Sequence, residues 1–425
     1  MEKVPLELGF QISKNLPKAD LKSLRLVCKN FNSVSTNLLF NRAYASAHLR
    51  DLDVLSAISR HPTLRLAVEE IVYSGVFFHS GRNCEESEHR FERGRLYYHA
   101  HLKQDNTMMS NEEDVAIISR ALARMPNVRT VILANHWRLA RDLLGDWDYG
   151  IRRLEAIPSS NDREDNRFGG PFSRDYPTFA KEPSGAPIHL EVDGVNVDHG
   201  FNVMCRAISI ANLPVRAFSI DYRAQRFPRS SGPTTGLSPF TFCISGSTLH
   251  YCNAFRHLRT ISFSLLESGV PKFEIEHMVL VGPSVAKVLA SATELEELTF
   301  NFTMSQSSTG LTENIPLERS LGTYTWCCLR SIRLLQKEIS RDELVDLLRR
   351  HRKTLKALCL EAIKLRDGTW VEVVAETRRW LVLESVRFDF LLEREDRWTA
   401  RRIHDKELER YMLHGESGPI YPQHT

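Results

Sequence analysis

The chain has 425 residues, 42% of them hydrophobic and 26% charged, a globular composition with room for two or three ordinary domains or for one small domain and a long repeat array. With 56 basic against 53 acidic side chains the formal charge is only +3, so no chain-wide field draws nucleic acid, and the basic runs at 349–353 and 397–406 read as solvated helix faces. Eight cysteines without a Cys-x-x-Cys pair argue against a disulfide framework, no stretch approaches 18 uninterrupted apolar residues, and the first residues lack a basic-then-apolar secretory pattern; the expectation is a soluble cytoplasmic or nuclear protein with no membrane contact.

Residues 4–44 predict three short helices. Pro5 suits a first helical position, where a missing N–H costs nothing, and Leu6, Leu8, Ile12 and Leu16 follow at near-helical spacing. Asn15-Leu16-Pro17 ends that helix, because a residue before proline is pushed out of the α region. A second helix starts near Lys18-Ala19-Asp20 and carries Leu21, Leu24 and Val27; a third has Cys28, Phe31, Val34 and Leu38 on one side. Helices this short enclose little interior, and each large apolar side chain contributes ~1.5–3 kcal/mol only once it leaves water. The rest of the chain or a partner must therefore cover them.

The run VPLELGFQISKNLPKADLKSLRLVCKNFNSV, residues 4–34, resembles an F-box, the motif through which receptor subunits dock the Skp adaptor of cullin–RING ubiquitin ligases. Val4-Pro5 stands where the family opens with Leu-Pro, and Ile12 and Leu16 match its first-helix anchors. Asp20-Leu21 matches the start of its second helix, and Leu24-Arg25-Leu26-Val27-Cys28-Lys29 the dense block that follows. Two positions depart from the pattern: Gly9 replaces a helix former at a cost of ~1 kcal/mol, and Phe31 keeps the ring of the usual tryptophan without its N–H donor. The continuation LLFNRAYASAHLRDLDVLSAISRHP, residues 38–62, resembles the segment after the F-box in fungal members with leucine-rich-repeat-like bodies. The resemblance implies that Pro5, Leu6, Ile12, Leu16, Leu21, Leu24, Val27, Cys28 and Phe31 form or support the adaptor interface, with a cullin scaffold and a RING subunit reached through the adaptor.

Further along, a unit of the form apolar-x-x-apolar-x-apolar recurs after helix-like stretches, centred on Ile71, Val131, Phe218, Ile261, Leu298, Ile332, Leu358 and Val386. The last two spacings, 26 and 28 residues, are leucine-rich-repeat periods, and the longer earlier ones are the same unit with insertions. Each unit predicts a short strand with its apolar pair inward and a helix on the far side; stacked units share a core that one unit cannot close. Ser110-Asn-Glu-Glu113 and Ser340-Arg-Asp-Glu343 read as capping boxes, and Trp370, Val373, Val374 and Thr377 mark a helix before the last strand. Where a regular array has asparagine after the strand, this chain has His136, Leu266, Thr303, Lys337, Ile363 and Leu391, so the array is expected to be irregular. Residues 157–187, rich in Pro, Gly, Ser and charge, read as a mobile insertion; 223–239 and 306–316 read as shorter ones, and residues after Gly415 as a frayed tail. The expected class is α/β: a three-helix F-box at 1–42, a helical linker at 43–66, an irregular leucine-rich-repeat-like solenoid of strand–helix units at 67–392, and a C-terminal helix and tail at 393–425.

No nucleophile, base and orienting group can be nominated together, and neither a Gly-x-Ser-x-Gly motif nor a phosphate-binding glycine loop occurs. His189, Glu191 and Asp193 with His199, and Cys243, His250, Cys252 and His257, carry metal-capable atoms; polar alternation in a solvent-facing strand accounts for the first set, and no finger spacing fits the second. Cys327-Cys328 reads as one core thiol and one outward thiol rather than a redox pair. The chain therefore reads as a non-enzyme with no cofactor and no metal, a receptor for an unidentified protein target; a repeat scaffold without a ubiquitin role and a metal-dependent enzyme are the other readings. Target contacts fall on outward strand positions: Thr260, Ser262 and Ser264; Glu297, Thr299 and Asn301; Ser331, Arg333 and Leu335; Ala357, Cys359 and Glu361; Ser385, Arg387 and Asp389. That wall is mostly polar, which suits a protein or peptide surface.

Overall fold

The computed structural model describes residues 5–74, 103–104, 107–134, 191–192, 195–196, 199–220, 237, 241–242, 246–266, 284–303, 316–394, 400–402 and 405–415. The chain divides into two compact units, Met1–Val215 and Arg216–Thr425.

The first unit opens with α1 (Leu6–Ser13), α2 (Lys18–Leu24) and α3 (Lys29–Leu39). Pro5 and Pro17 each sit immediately before a helix, where fixed φ helps and the missing donor is not needed. Helices α1 and α2 both pack on α3. Next come β1 (Arg42–Ser46), α4 (Leu49–Arg60), α5 (Leu64–Ala67), β2 (Glu70–Ser74), α6 (Glu113–Leu122) and β3 (Thr130–Ala134). Two-residue strands β4 (Glu191–Val192) and β5 (Val195–Asn196) pair antiparallel before α7 (His199–Ala211). Strands β1, β2 and β3 run parallel with Ala43 beside Ile71 and Ile71 beside Val131. Residues 43–66, expected to be a helical linker, thus supply the sheet's first strand as well as α4. The alanines of Arg42–Ser46 gave no apolar triad to read, and pairing with β2 makes it a strand. The expected box at Ser110 does not form. Ser110 lies in a helical turn at 107–110 rather than in the extended conformation a cap needs, and Glu112, left-handed at φ 54°, precedes the helix.

The second unit alternates strand and helix: β6 (Ala217–Ile220), α8 (Ser247–Phe255), β7 (Thr260–Leu266), α9 (284–290), β8 (Glu297–Thr303), α10 (Leu317–Leu321), β9 (Ser331–Ile339), α11 (Arg341–Arg350), β10 (Ala357–Leu365), α12 (Trp370–Arg378) and β11 (Ser385–Asp389). The C-terminal part adds β12 (Leu392–Arg394), β13 (Ala400–Arg402) and α13 (Asp405–His414). Strands β6 to β10 are parallel neighbours in order, β11 and β12 both pair with β10, and β13 returns antiparallel on β12. All eight expected centres lie in these strands and are at most 8% exposed. Each strand entrance repeats one device, two successive N–H groups donating to a single carbonyl of the preceding unit: Glu296 and Glu297 to Arg259, Arg330 and Ser331 to Glu296, Lys356 and Ala357 to Arg330, Glu384 and Ser385 to Lys356. The arrangement is a mixed α/β, solenoid-like repeat of strand–helix units.

The box at Ser340 forms as read, with the Glu343 N–H donating to Ser340 Oγ at 3.1 Å and the Ser340 N–H to Glu343 Oε2 at 2.8 Å; Thr369 and Glu372 form a second before α12. Irregularity enters at one register level. Gln336, Ala362 and Phe390 are left-handed (φ 56°, 54° and 58°), and Gln336 and Ala362 are bracketed by the pairs Leu335–Glu361 and Lys337–Ile363. Each kink stretches the inward spacing from two residues to three, so Lys337, Ile363 and Leu391, the positions lacking asparagine, are all buried. The Lys337 ammonium lies 4.5 Å from the centre of the Phe302 ring. Residues 157–187 and those after Gly415 lie outside the described residues; of the two shorter insertions only Leu237, bridged to Leu265, and Pro316, which caps α10, lie within them. Among the described residues no helix is long and apolar enough to cross a membrane.

Candidate protein-docking site

The first three helices have a very small interior. Leu21 and Val34 are buried, and Gly9 lets α1 approach α3 closely enough that a methyl there would sit 3.8 Å from the Phe31 ring. Leu16, Leu24, Cys28 and Phe31 are half-buried around that centre. Facing solvent are Leu8, Phe10, Ile12, Leu26 and Val27, with Ile12 59% and Leu26 87% exposed, and Pro5 joins them. Five large apolar side chains within twenty residues of one another are thus left in water, Leu8 and Ile12 one turn apart on the same side of α1, each contributing up to ~1.5–3 kcal/mol on full burial.

The nine residues read from sequence therefore divide by place. Ile12, Val27 and Pro5 are exposed; Leu16, Leu24, Cys28 and Phe31 support them; Leu21 is interior; the side chain of Leu6 lies outside the described residues. Leu8, Phe10 and Leu26 were not singled out as contacts. For Leu26 a local signal existed: Arg25–Val27 is a turn after α2, so the helical period stops there and adjacent residues can both face outward.

In the second unit the outward residues form three rows across β7 to β11. Pairing aligns Thr260, Glu297, Ser331, Ala357 and Ser385, then Ser262, Thr299, Arg333, Cys359 and Arg387, then Ser264, Asn301, Leu335, Glu361 and Asp389. Glu297 and Arg387 are exposed, and Thr260, Thr299, Arg333, Glu361 and Asp389 half-buried. Ser262, Ser264, Asn301 and Leu335, expected on the exposed wall, are instead buried. Asn301 donates its amide to Ser264 Oγ at 2.8 Å, and the chain at Leu237 donates to the Ser264 carbonyl at 2.7 Å, placing another segment alongside β7. Arg333 bonds Glu361 at 2.7 Å, while Arg387 stands 3.9 Å from Asp389. Burial pushes the Cys359 thiol above its ordinary range, with Arg333 and Arg387 pulling the other way.

Among the described residues the metal-capable sets do not assemble. His199 Nε2 is 2.5 Å from Oδ2 of the fully buried Asp114, tying α7 to α6, and Arg206 grips Glu112 with two bonds of 2.6 and 2.7 Å that hold its carboxyl below the usual range. His189, Asp193 and Cys243 lie outside the described residues, among which no three His, Cys, Asp or Glu side chains gather as a metal site. Cys327 and Cys328 are both exposed, contrary to the expected inward–outward split, because they occupy a turn ahead of β9 where strand alternation does not apply.

Residues 1–43, the stretch holding the three open-faced helices, match the family model of the F-box domain. No match is found among curated proteins.

Proposed function

We propose that this F-box protein is the target-recognition subunit of a Skp–cullin–RING ubiquitin ligase. An F-box implies a Skp-type adaptor as partner. The observation that carries the reading is the exposure of Leu8, Phe10, Ile12, Leu26 and Val27 on α1 and the α2–α3 turn, apolar side chains that the adaptor would cover. Pro5 is exposed beside them, and Leu16, Leu24, Cys28 and Phe31 hold them in place from beneath. The exposed part of the wall, with Glu297, Thr299, Arg333, Glu361, Arg387 and Asp389, is the proposed target surface. Catalysis by proximity follows: a tethered target sees a raised effective concentration of activated ubiquitin, and this chain itself breaks no bond.

The test is co-purification of the full chain with a Skp adaptor. Ile12→Asp with Leu26→Asp places two charges in the buried centre of the proposed interface and is expected to weaken capture about a hundredfold or more, while the unfolding midpoint stays put because both side chains are exposed. Undiminished capture by a folded double variant overturns the reading. Point changes are preferable to deletion, since strand β1 begins at Arg42, directly after the helices.

A further inference from the structure

We propose that Cys327 and Cys328 form a dithiol site for a trivalent metalloid, specifically a monosubstituted organoarsenic(III) species. Both thiols are exposed and their sulfurs lie 3.8 Å apart. The turn that carries them is fixed on each side by buried residues. Trp326 is sealed, stacks on His351 with ring centres 5.5 Å apart, donates its backbone N–H to His351 Nε2 at 3.2 Å and its indole N–H to the Leu289 carbonyl at 3.3 Å; Leu329 is fully buried. The two sulfurs are thus presented by a preorganised surface turn.

Geometry favours a chelate over oxidation. With sulfur bonds of about 2.3 Å, as for a zinc thiolate, the roughly 95–100° angle of a pyramidal trivalent centre holds two sulfurs about 3.4–3.5 Å apart, a few tenths of an ångström inside the 3.8 Å seen here. A disulfide needs sulfurs about 2.04 Å apart and α-carbons at least about 4.4 Å apart, whereas neighbours along a trans chain have α-carbons about 3.8 Å apart. Oxidation would therefore deform a turn that Trp326 and Leu329 anchor. Coordination number selects the centre. Among the described residues no third His, Cys, Asp or Glu joins the pair, so tetrahedral zinc would lack half its ligands. An organoarsenic(III) centre is complete with two sulfurs and its own carbon.

The reaction is a condensation. Two As–S bonds form, the arsenic–oxygen bond of the oxide breaks, both thiol protons go to that oxygen, and it leaves as water; arsenic stays trivalent and no electrons move. The Cys327 thiol, hydrogen-bonded to Cys328, keeps the Cys328 proton on its sulfur above the ordinary range, so the proton the oxide must take is present at neutral pH.

The experiment uses the full chain, reduced, with one equivalent of phenylarsine oxide in excess glutathione, which strips single-thiol adducts. Intact mass should show one arsenical added with loss of one water, a fall of two titratable thiols, and reversal by 2,3-dimercaptopropanol. Cys327→Ser and Cys328→Ser should each retain the adduct at least about tenfold less, since one bond forfeits the chelate's effective concentration. No glutathione-resistant adduct on the wild-type chain, or an adduct retained undiminished by either variant, overturns the proposal.

Discussion

In β9 and β10 alternate apolar side chains are sealed: Ile332, Leu334, Leu358 and Leu360 are at most 3% exposed, each beside a neighbour in the same register. In α1 to α3, by contrast, Leu21 and Val34 are sealed while Leu8, Phe10, Ile12, Leu26 and Val27 stand in water. The two regions differ in how a core is closed. A repeat closes its core by adding another copy of itself. Helices of 8, 7 and 11 residues have no next copy, and under the proposed function the adaptor would complete their core.

Stability measurements can break that contrast. Trp370 is fully buried, donates its indole N–H to the Leu392 carbonyl at 2.9 Å and lies against Phe388. Trp370→Ala should cost about 3–5 kcal/mol in urea unfolding, whereas Leu26→Ala should cost under ~0.5 kcal/mol. A large loss at Leu26 would mean that its side chain is covered within the chain itself. Next in size come the two capping boxes: Ser340→Ala and Thr369→Ala should each lower stability by about 1 kcal/mol, read from the denaturation midpoint. Both lie in the repeat, and neither should alter adaptor capture.

A smaller effect is expected from pH. His351 is buried, accepts from the Trp326 N–H at Nε2 and therefore carries its proton on Nδ1, facing the Leu347 carbonyl at 2.9 Å. Burial pulls its pKa below the ordinary 6.5. As pH falls through about 6.5 the unfolded chain takes up a proton that the folded chain still refuses, so stability is full above that value and declines from there towards the lower folded pKa. Urea midpoints should fall between pH 7.5 and 5.5, and His351→Gln should flatten that slope. An equal slope in the variant would assign the decline elsewhere. Smallest are two reciprocal swaps. Gly9→Ala should raise stability by up to about 1 kcal/mol, since its methyl meets Phe31 only at ordinary contact distance. Ala362→Gly should raise it by a few tenths, because glycine removes the left-handed penalty at φ 54° but loosens the unfolded chain. A loss at either position would show that the close approach or the kink is held by its present residue.

The candidate docking surface was legible in part: Ile12 and Val27 were read from the sequence, Leu8, Phe10 and Leu26 were not. Prolines placed the first two helices, and the F-box resemblance singled out Ile12 and Val27, which are exposed, together with Leu21, which is interior. Periodicity could not find Leu26, because the turn at 25–27 has no period. In the wall, alternation found the rows but not the burial of Ser262, Ser264, Asn301 and Leu335; at Ser264 the segment at Leu237 lies alongside β7, a pairing that no local pattern records. The exposure of both Cys327 and Cys328 escaped for the same reason as Leu26: alternation was applied to residues that precede the strand.

The chain's own order of residues determined the local choices: prolines and serine or threonine caps start helices, and apolar triads mark eight strands, because these preferences act between residues a few positions apart. Tertiary structure alone decided the rest. Ala43 and Ala45 became strand through pairing with Ile71 and Tyr73, and Gln336, Ala362 and Phe390 accepted left-handed backbone at one shared register level. The first carries no apolar triad as signal and the second no glycine. What selects them is hydrogen bonding and packing between segments distant in sequence, an energy no local pattern records.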